Sequence, residues 1–265
     1  MPQPTGFDHS SDPSFFDYYA RESLSAGTVQ RFERVRDRAL ALLARRGRHG
    51  PFSVLDIGCG AGTQAMLWAG LGHQVAAIDV NEPLVVLGRR RAAERSLPIR
   101  FDVGSATALP YDSASVDVAL LPELLEHVAE WEACLGEAVR TLRPGGLLYL
   151  STTSWLCPRQ EEFTLPGYSW YPGPVKRWCV RRSLTTHPQW ANHARYPAVN
   201  WFSYYGLSRW LRARGFQTLD RFDVLAQQPL GGLQATVVGA IRALPPARLL
   251  AHMATAGTTV WALRD

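Results

Sequence analysis

Apolar positions change their period along the chain. Val29, Phe32, Val35, Ala39, Leu40 and Leu43 recur at three- and four-residue steps, so Val29–Leu43 is expected to be a helix with one apolar face. The aromatic cluster Phe15, Phe16, Tyr18 and Tyr19 precedes it, and residues 1–50 form an expected N-terminal helical arm able to pack over the mouth of a site. From Phe52 the pattern alternates. Phe52–Ile57, Gln74–Asp79, Ile99–Val103, Val116–Leu121 and Gly146–Thr152 are short apolar runs with strand character. Helical stretches separate them, to about Leu71, over Glu82–Arg95 and over about Pro122–Leu142. Strand, helix, strand at this spacing predicts βαβ units and a parallel sheet with helices on both faces. The run VDVALL is apolar throughout, as a strand buried on both faces should be.

After Thr152 the period lapses. Residues 154–205 are rich in proline and aromatic side chains and read as a cap or lid insert. A helix over Gly206–Arg214, a strand over Phe216–Leu225, a helix over Ala240–Met253 and a strand over Thr258–Leu263 follow. The expected fold class is therefore α/β: a Rossmann-like, seven-stranded, mostly parallel sheet. Residues 51–265 would form one domain carrying the insert.

Composition narrows the classes. With 265 residues, 46% hydrophobic and 19% charged, the chain can bury a full core. Lys+Arg 28 against Asp+Glu 23 gives +5, which suits an anionic cofactor or a weak peripheral membrane contact and does not point to nucleic acid. No apolar stretch reaches the roughly 18 residues of a membrane-spanning helix. Residues 1–14 have no signal-peptide pattern. Cys59, Cys134, Cys157 and Cys179 show neither CxxC nor metal spacing and read as free thiols in a reducing cytoplasm.

The chemistry concentrates at two places. Gly58-Cys59-Gly60-Ala61-Gly62 joins the first strand of the alternation to a helix, the arrangement in which bare backbone and a helix N-terminus approach a nucleotide-like ligand. A dinucleotide GxGxxG turn would place glycine at 63, where this chain has Thr63. Asp56 precedes the turn, placed to bind its amides or a ligand ammonium. Asp79, about twenty residues beyond Gly58, ends the second strand, where a carboxylate accepts from ribose hydroxyls.

The second place follows Leu121-Pro122. On a helix starting there, Glu123, Glu126 and His127 stand at i, i+3 and i+4 and share a face. Three readings stay open: a site for Mg²⁺ or another divalent cation, a catalytic base His127 oriented by Glu126, or an acidic helix start with a packed histidine. In the insert, Trp170, Tyr171 and Trp178 interleave with Lys176, Arg177, Arg181 and Arg182, which suits a lid, a membrane headgroup contact or a solvated loop. His187 follows and could complete an acceptor site or simply face solvent.

VLDIGCGAG resembles motif I of the class I S-adenosylmethionine-dependent methyltransferases, and VAAIDVN resembles their motif II. LPYDSASVDVALLPELLEHV and LRPGGLLYLST are similar to their loop into the fourth strand and their fifth strand, so the resemblance covers Val54 to Thr153. It implies that Asp56, Gly58, Cys59, Gly60 and Gly62 hold the methionine part of S-adenosyl-L-methionine and Asp79 the ribose. It further implies Val80 and Asn81 beside the adenosine, Ser105 and Ala106 at the adenine edge, and Pro122 at the end of the fourth strand. Ser105 is a departure, since such chains often carry Asp there. The ExxEH segment and the basic aromatic insert most resemble the 3-demethylubiquinone-type O-methyltransferases, which use a divalent ion at ExxEH. The implied activity is O-methylation of a small hydroxylated aromatic or lipid-like acceptor. The alternatives are a sugar hydroxyl, an amine or another natural product as acceptor, or a cofactor-binding module without turnover.

Overall fold

The computed structural model describes residues 13–159, 163–191 and 198–265, with side chains from Phe16 onward. The parts of the expected arm and cap at 1–12, 160–162 and 192–197 lie outside these residues. The elements run α1 (Pro13–Glu22), α2 (Ala26–Ala44), β1 (Ser53–Ile57), α3 (Thr63–Ala69), β2 (Gln74–Asp79), α4 (Glu82–Glu94), β3 (Ile99–Val103), β4 (Val116–Pro122), α5 (Trp131–Thr141) and β5 (Leu142–Thr153). They continue with α6 (Gly173–Thr185), α7 (Tyr204–Arg212), β6 (Phe216–Leu219), α8 (Arg221–Leu225), α9 (Gly232–Ala243), α10 (Pro245–Met253) and β7 (Gly257–Arg264). The seven strands form one sheet in the order β3-β2-β1-β4-β5-β7-β6. β1 pairs in parallel with β2 and β4, β2 with β3, and β6 and β7 pair antiparallel. That is the Rossmann-like α/β sheet the alternation predicts.

The chain divides into two compact units. The first holds the described residues up to Pro122 together with Glu130–Leu148. Its core is the apolar strands: Val54, Leu55, Ile57, Ala77, Ile78 and Val118 to Leu121 are all buried. Ser25 and Asn81 cap α2 and α4 by accepting from Thr28 N and Leu84 N, satisfying helix-start amides that have no partner inside the helix. Asp117 accepts from Arg48, Arg143 and Ser53 N. Burial alone would raise this carboxyl, but those three donors outweigh it and hold it below the usual range.

The second unit holds Glu123–Ala129 and the chain from Tyr149 on. Asp220 is fully buried there and caps α8 in a reciprocal capping box with Asp223. Its Oδ1 accepts from Phe222 N and Asp223 N, and its Oδ2 from Arg248 Nε at 2.7 Å and His252 Nε2 at 3.0 Å. Burial pushes the Asp220 carboxyl up, yet the bonds from His252, Arg248 and the backbone outweigh it and hold the group well below the usual carboxylate range. His252 stacks on Tyr204 with planes 9° apart.

Three sequence expectations need correction. The strand expected over Phe216–Leu225 ends at Leu219, because Asp220 starts a helix instead. The helix expected over Ala240–Met253 is two helices, α9 and α10, broken where Pro245-Pro246 removes backbone donors. The helix expected from Pro122 starts only at Trp131. The insert contains α6 and two short 3-10 turns, Tyr168–Trp170 and Pro188–Trp190, which its irregular composition conceals.

Candidate active site

β1 and β2 run side by side, Ile57 opposite Ile78, and deliver Asp56 and Asp79 at the carboxyl end of the sheet. Gly58, Gly60 and Gly62 all have positive φ, between 50° and 75°, the backbone region where glycine carries no Cβ penalty. Two are needed for different reasons. A Cβ on Gly60 would meet nothing nearer than 4.0 Å, so this stretch of bare backbone is open to a ligand. A Cβ on Gly62 would stand 2.7 Å from the Phe101 ring, so Gly62 is a packing requirement. Gly88 on α4 leaves the other side of the same notch, where a Cβ would lie 2.9 Å from Phe101.

The two acids are organised by backbone donors. Asp79 Oδ2 accepts from Gly60 N and Oδ1 from Asn81 N, both at 2.8 Å, which fixes the carboxylate plane and leaves further lone pairs. Burial raises the Asp79 carboxyl despite these bonds. Asp56 Oδ2 accepts from Ala65 N at 3.1 Å, in the first turn of α3, whose N-cap Gly62 supplies no side chain. Asp56 Oδ1 is buried without a hydrogen-bond partner. Burial pushes this carboxyl up to about 7, with the Asp79 charge adding to the effect. An acid buried with one bare oxygen is costly unless a donor or a cation meets it.

Around the turn, Cys59 is a free thiol raised by burial, and its Sγ lies 3.6 Å from Gly60 O. Val80 is 60% exposed, an apolar surface beside Asp79. Ser105 is engaged locally: its Oγ accepts from Thr107 N and shares a hydrogen bond with the Thr107 hydroxyl. Ala106 follows it, half-buried. The arm does pack on this region. Phe16, Tyr19 and Ala20 lie against Ala61, Leu84 and Leu87. Thr63 Oγ1 donates to Ser23 O at 2.7 Å, and Arg91 donates to Ser23 Oγ and Ala20 O. Thr63 and Arg91 carry no sequence signal for this role beyond being polar near the turn. A separate groove of about 570 Å³, lined in part by His73, Ser96 and Arg100, opens at the opposite, amino ends of β2 and β3.

In the second unit, Glu123 sits in the left-handed region at φ 53°, donating its N–H to Ser151 O, and the chain turns instead of coiling. The shared helix face expected for Glu123, Glu126 and His127 therefore does not form. Glu123 is exposed, Glu126 is buried and accepts from the Thr152 hydroxyl at 2.8 Å, and His127 is half-buried with its N–H on Leu124 O. Among the described residues no three His, Cys, Asp or Glu side chains are arranged to hold a metal ion, so the expected divalent-cation set does not fit. The turn is pinned from the insert: Asn200 Nδ2 donates to Leu125 O and Val128 O, and Val199 N and Asn200 N donate to Glu126 O. Asn200 stands in the aperiodic stretch and has no signal in the sequence. His187 stacks on Trp190 at 4.3 Å and shares a hydrogen bond with Thr186, so its partners are its own turn and not Glu126 or His127.

Residues 55–150 match a family model described as a methyltransferase domain. A ubiquinone biosynthesis O-methyltransferase of Caulobacter vibrioides is 37% identical over 123 residues, 44% of this chain and 49% of that protein. A demethylmenaquinone methyltransferase of Clavibacter sepedonicus is 29% identical over 215 residues, 77% of this chain and 78% of that one. The solved magnesium protoporphyrin IX methyltransferase of Synechocystis PCC 6803, with bound SAH, superposes with a TM-score of 0.53 at 15% identity, covering 93% of this chain and 88% of that one. The structural likeness establishes the fold, and the chain spans about half the length of the ubiquinone-type relative of Caulobacter. The sheet order and the match over residues 55–150 together show a methyltransferase domain on a Rossmann-like sheet.

Proposed function

We propose that this protein is an S-adenosyl-L-methionine-dependent methyltransferase that methylates an oxygen of a small hydroxylated aromatic or lipid-like acceptor. The observation that carries the cofactor assignment is the bare, buried Oδ1 of Asp56 beside the open Gly60 backbone and Asp79. Asp56 Oδ1 receives the ammonium of the methionine part, which supplies the missing donor. The free lone pairs of Asp79 accept the ribose hydroxyls, with Val80 and Asn81 beside the adenosine and Ser105 and Ala106 at the adenine edge. Gly58, Cys59, Gly62 and Pro122 shape the surrounding backbone. The cofactor, when bound, supplies an electrophilic methyl for in-line transfer, so the protein's task is chiefly positioning.

A hydroxyl acceptor must lose its proton, since a phenol with a pKa of about 10 is neutral at pH 7. His127 takes that proton, and Glu126, fixed by Thr152, positions the turn that carries it. The acceptor class rests on the names of the relatives, both quinone-related methyltransferases. No step is assigned to a divalent cation, and the proposed acceptor is a small molecule, not a nucleic acid. Among the described residues no helix is long and apolar enough to cross a membrane, and the four free cysteines suit the reducing cytoplasm.

Calorimetry with S-adenosylhomocysteine and NAD tests the cofactor: the first should bind and the second should not. Labelled methyl transfer to a panel of phenols, sugars and amines tests the acceptor, and His127→Ala should lower the rate by about 10²–10⁴ while sparing cofactor affinity. A second reading, peripheral membrane contact through α6, is favoured by one observation. Trp170 and Trp178 are about half exposed beside Arg177, Arg181 and Arg182, with no acid between Gly167 and Thr186. It predicts sedimentation with anionic vesicles that high salt reverses.

A further inference from the structure

The insert holds an unusual set of donors. The Tyr168 hydroxyl is buried with no hydrogen-bond partner, and Tyr168 itself is 1% exposed. The Trp201 indole N–H is likewise buried without a partner. The two rings meet edge to face with centroids 5.5 Å apart. Lys176 Nζ lies 4.3 Å from the Trp201 ring centroid and 5.8 Å from that of Tyr168. It donates to Ser169 O, and among the described residues no carboxylate pairs with it. Its pKa is lowered by burial. An ammonium has three donors, and this one uses one of them, on Ser169 O.

Partnerless buried donors each cost about 1–3 kcal/mol, and the great majority of such groups in folded proteins are paired. Here two of them lie beside a cation that no described carboxylate pairs. All three groups can give a hydrogen bond, two of them can only give, and no described residue of the cluster supplies a negative charge. What would satisfy them together is an anionic oxygen. The surroundings are aromatic: Phe163 stacks on Tyr168 at 4.1 Å with planes 5° apart, and both rings are buried. The position adds a role. Trp201 follows directly on Val199 and Asn200, which are fastened to the turn carrying His127.

We propose that Tyr168 Oη, Trp201 Nε1 and Lys176 Nζ form a recognition subsite for an anionic oxygen on the acceptor, a carboxylate borne by a hydroxylated aromatic ring. The subsite rests on the methyltransferase reading for its role but not for its existence. Both neutral donors are sealed from solvent, so the acceptor enters when the Lys176 side chain swings from the ring faces toward the incoming charge. Lys176 then exchanges a cation–π contact for an ion pair. The acid group is bound at a distance from the hydroxyl to be methylated, so it sets which acceptors are chosen and does not take part in transfer.

The test is calorimetry on the full chain, first loaded with S-adenosylhomocysteine and then titrated with dihydroxybenzoate or with catechol, its counterpart without the carboxylate. The acid is expected to bind at least about tenfold more tightly, the usual worth of one charge-assisted hydrogen bond. Lys176→Met should erase that preference and leave catechol binding unchanged. Trp201→Phe and Tyr168→Phe should each weaken the acid by about five- to tenfold. Tyr168→Phe should not lower the melting temperature, because it removes only a hydroxyl that has no partner in the fold. Equal binding of acid and catechol, wild-type affinity for the acid in both Phe variants, or no binding of the acid would each overturn the subsite. Repeating the acid titration without S-adenosylhomocysteine separates the two proposals. Failure of the cofactor to bind defeats the methyltransferase reading, while the acid-against-catechol comparison still decides the subsite.

Discussion

Asp56 and Asp220 are the same residue type, equally buried, and driven in opposite directions. Asp220 receives two backbone N–H groups, a guanidinium and an imidazole, and its carboxyl is held low. Asp56 receives one backbone N–H, keeps one oxygen bare, and is raised to about 7. The difference separates two uses of a buried acid. One whose lone pairs are filled by its own chain is a structural joint. One left short of donors is stabilised only by what binds.

The sharpest way to break this contrast is to remove each carboxylate. Asp220→Ala leaves Arg248 and His252 without their common acceptor and should cost about 3–5 kcal/mol, read as a shift of the denaturant midpoint. Asp56→Asn should leave stability unchanged or improved while weakening S-adenosylhomocysteine by about ten- to hundredfold. A comparable loss of stability in both variants would erase the distinction.

Acidity gives a second contrast with opposite signs. The folded pKa of Asp56 is above its unfolded value, so the native state holds the proton more tightly and stability falls as pH rises from about 4 to about 7. The folded pKa of Asp220 is below its unfolded value, so its contribution is present above about pH 4 and lost as pH falls below that. Denaturation curves across pH should show Asp56→Asn flattening the neutral side and Asp220→Ala flattening the acid side. An effect on cofactor affinity comparable to that of Asp56→Asn is expected at Asp79. Asp79→Ala should weaken the nucleoside cofactor by about 1.5–3 kcal/mol in calorimetry, and undiminished binding would remove Asp79 from the ribose. The smallest concerns the arm. Thr63→Val removes one hydroxyl bond to Ser23 O and should cost about 1 kcal/mol in thermal stability.

The first unit was legible because its signals are local and periodic. Gln74–Asp79 and Ile99–Val103 are apolar-rich runs bounded by turns, and the structure begins and ends those strands at the same residues. Gly58 to Gly62 and Asp79 announce themselves by type and spacing. The second unit was not legible in this way. A helix over Pro122–Leu142 was the simplest reading of ELLEHV, yet a left-handed Glu123 and the distant Asn200 decide that turn. Asp220 looks like any polar residue within a strand until Arg248 and His252 arrive from α10. Tyr168, Lys176 and Trp201 meet across more than thirty residues of irregular chain, and no periodicity links them.

Phe101 fills a notch that exists because two side chains are missing, at Gly62 and at Gly88. The three positions therefore behave as one heritable character. A lineage that places a methyl on either glycine must first, or at once, trade Phe101 for something smaller, and a lineage that keeps the ring keeps both glycines. One of the three glycines of what looks like a ligand-binding motif in the turn is, on this account, inherited with a strand residue that lies nearly forty positions away in the sequence and is itself buried.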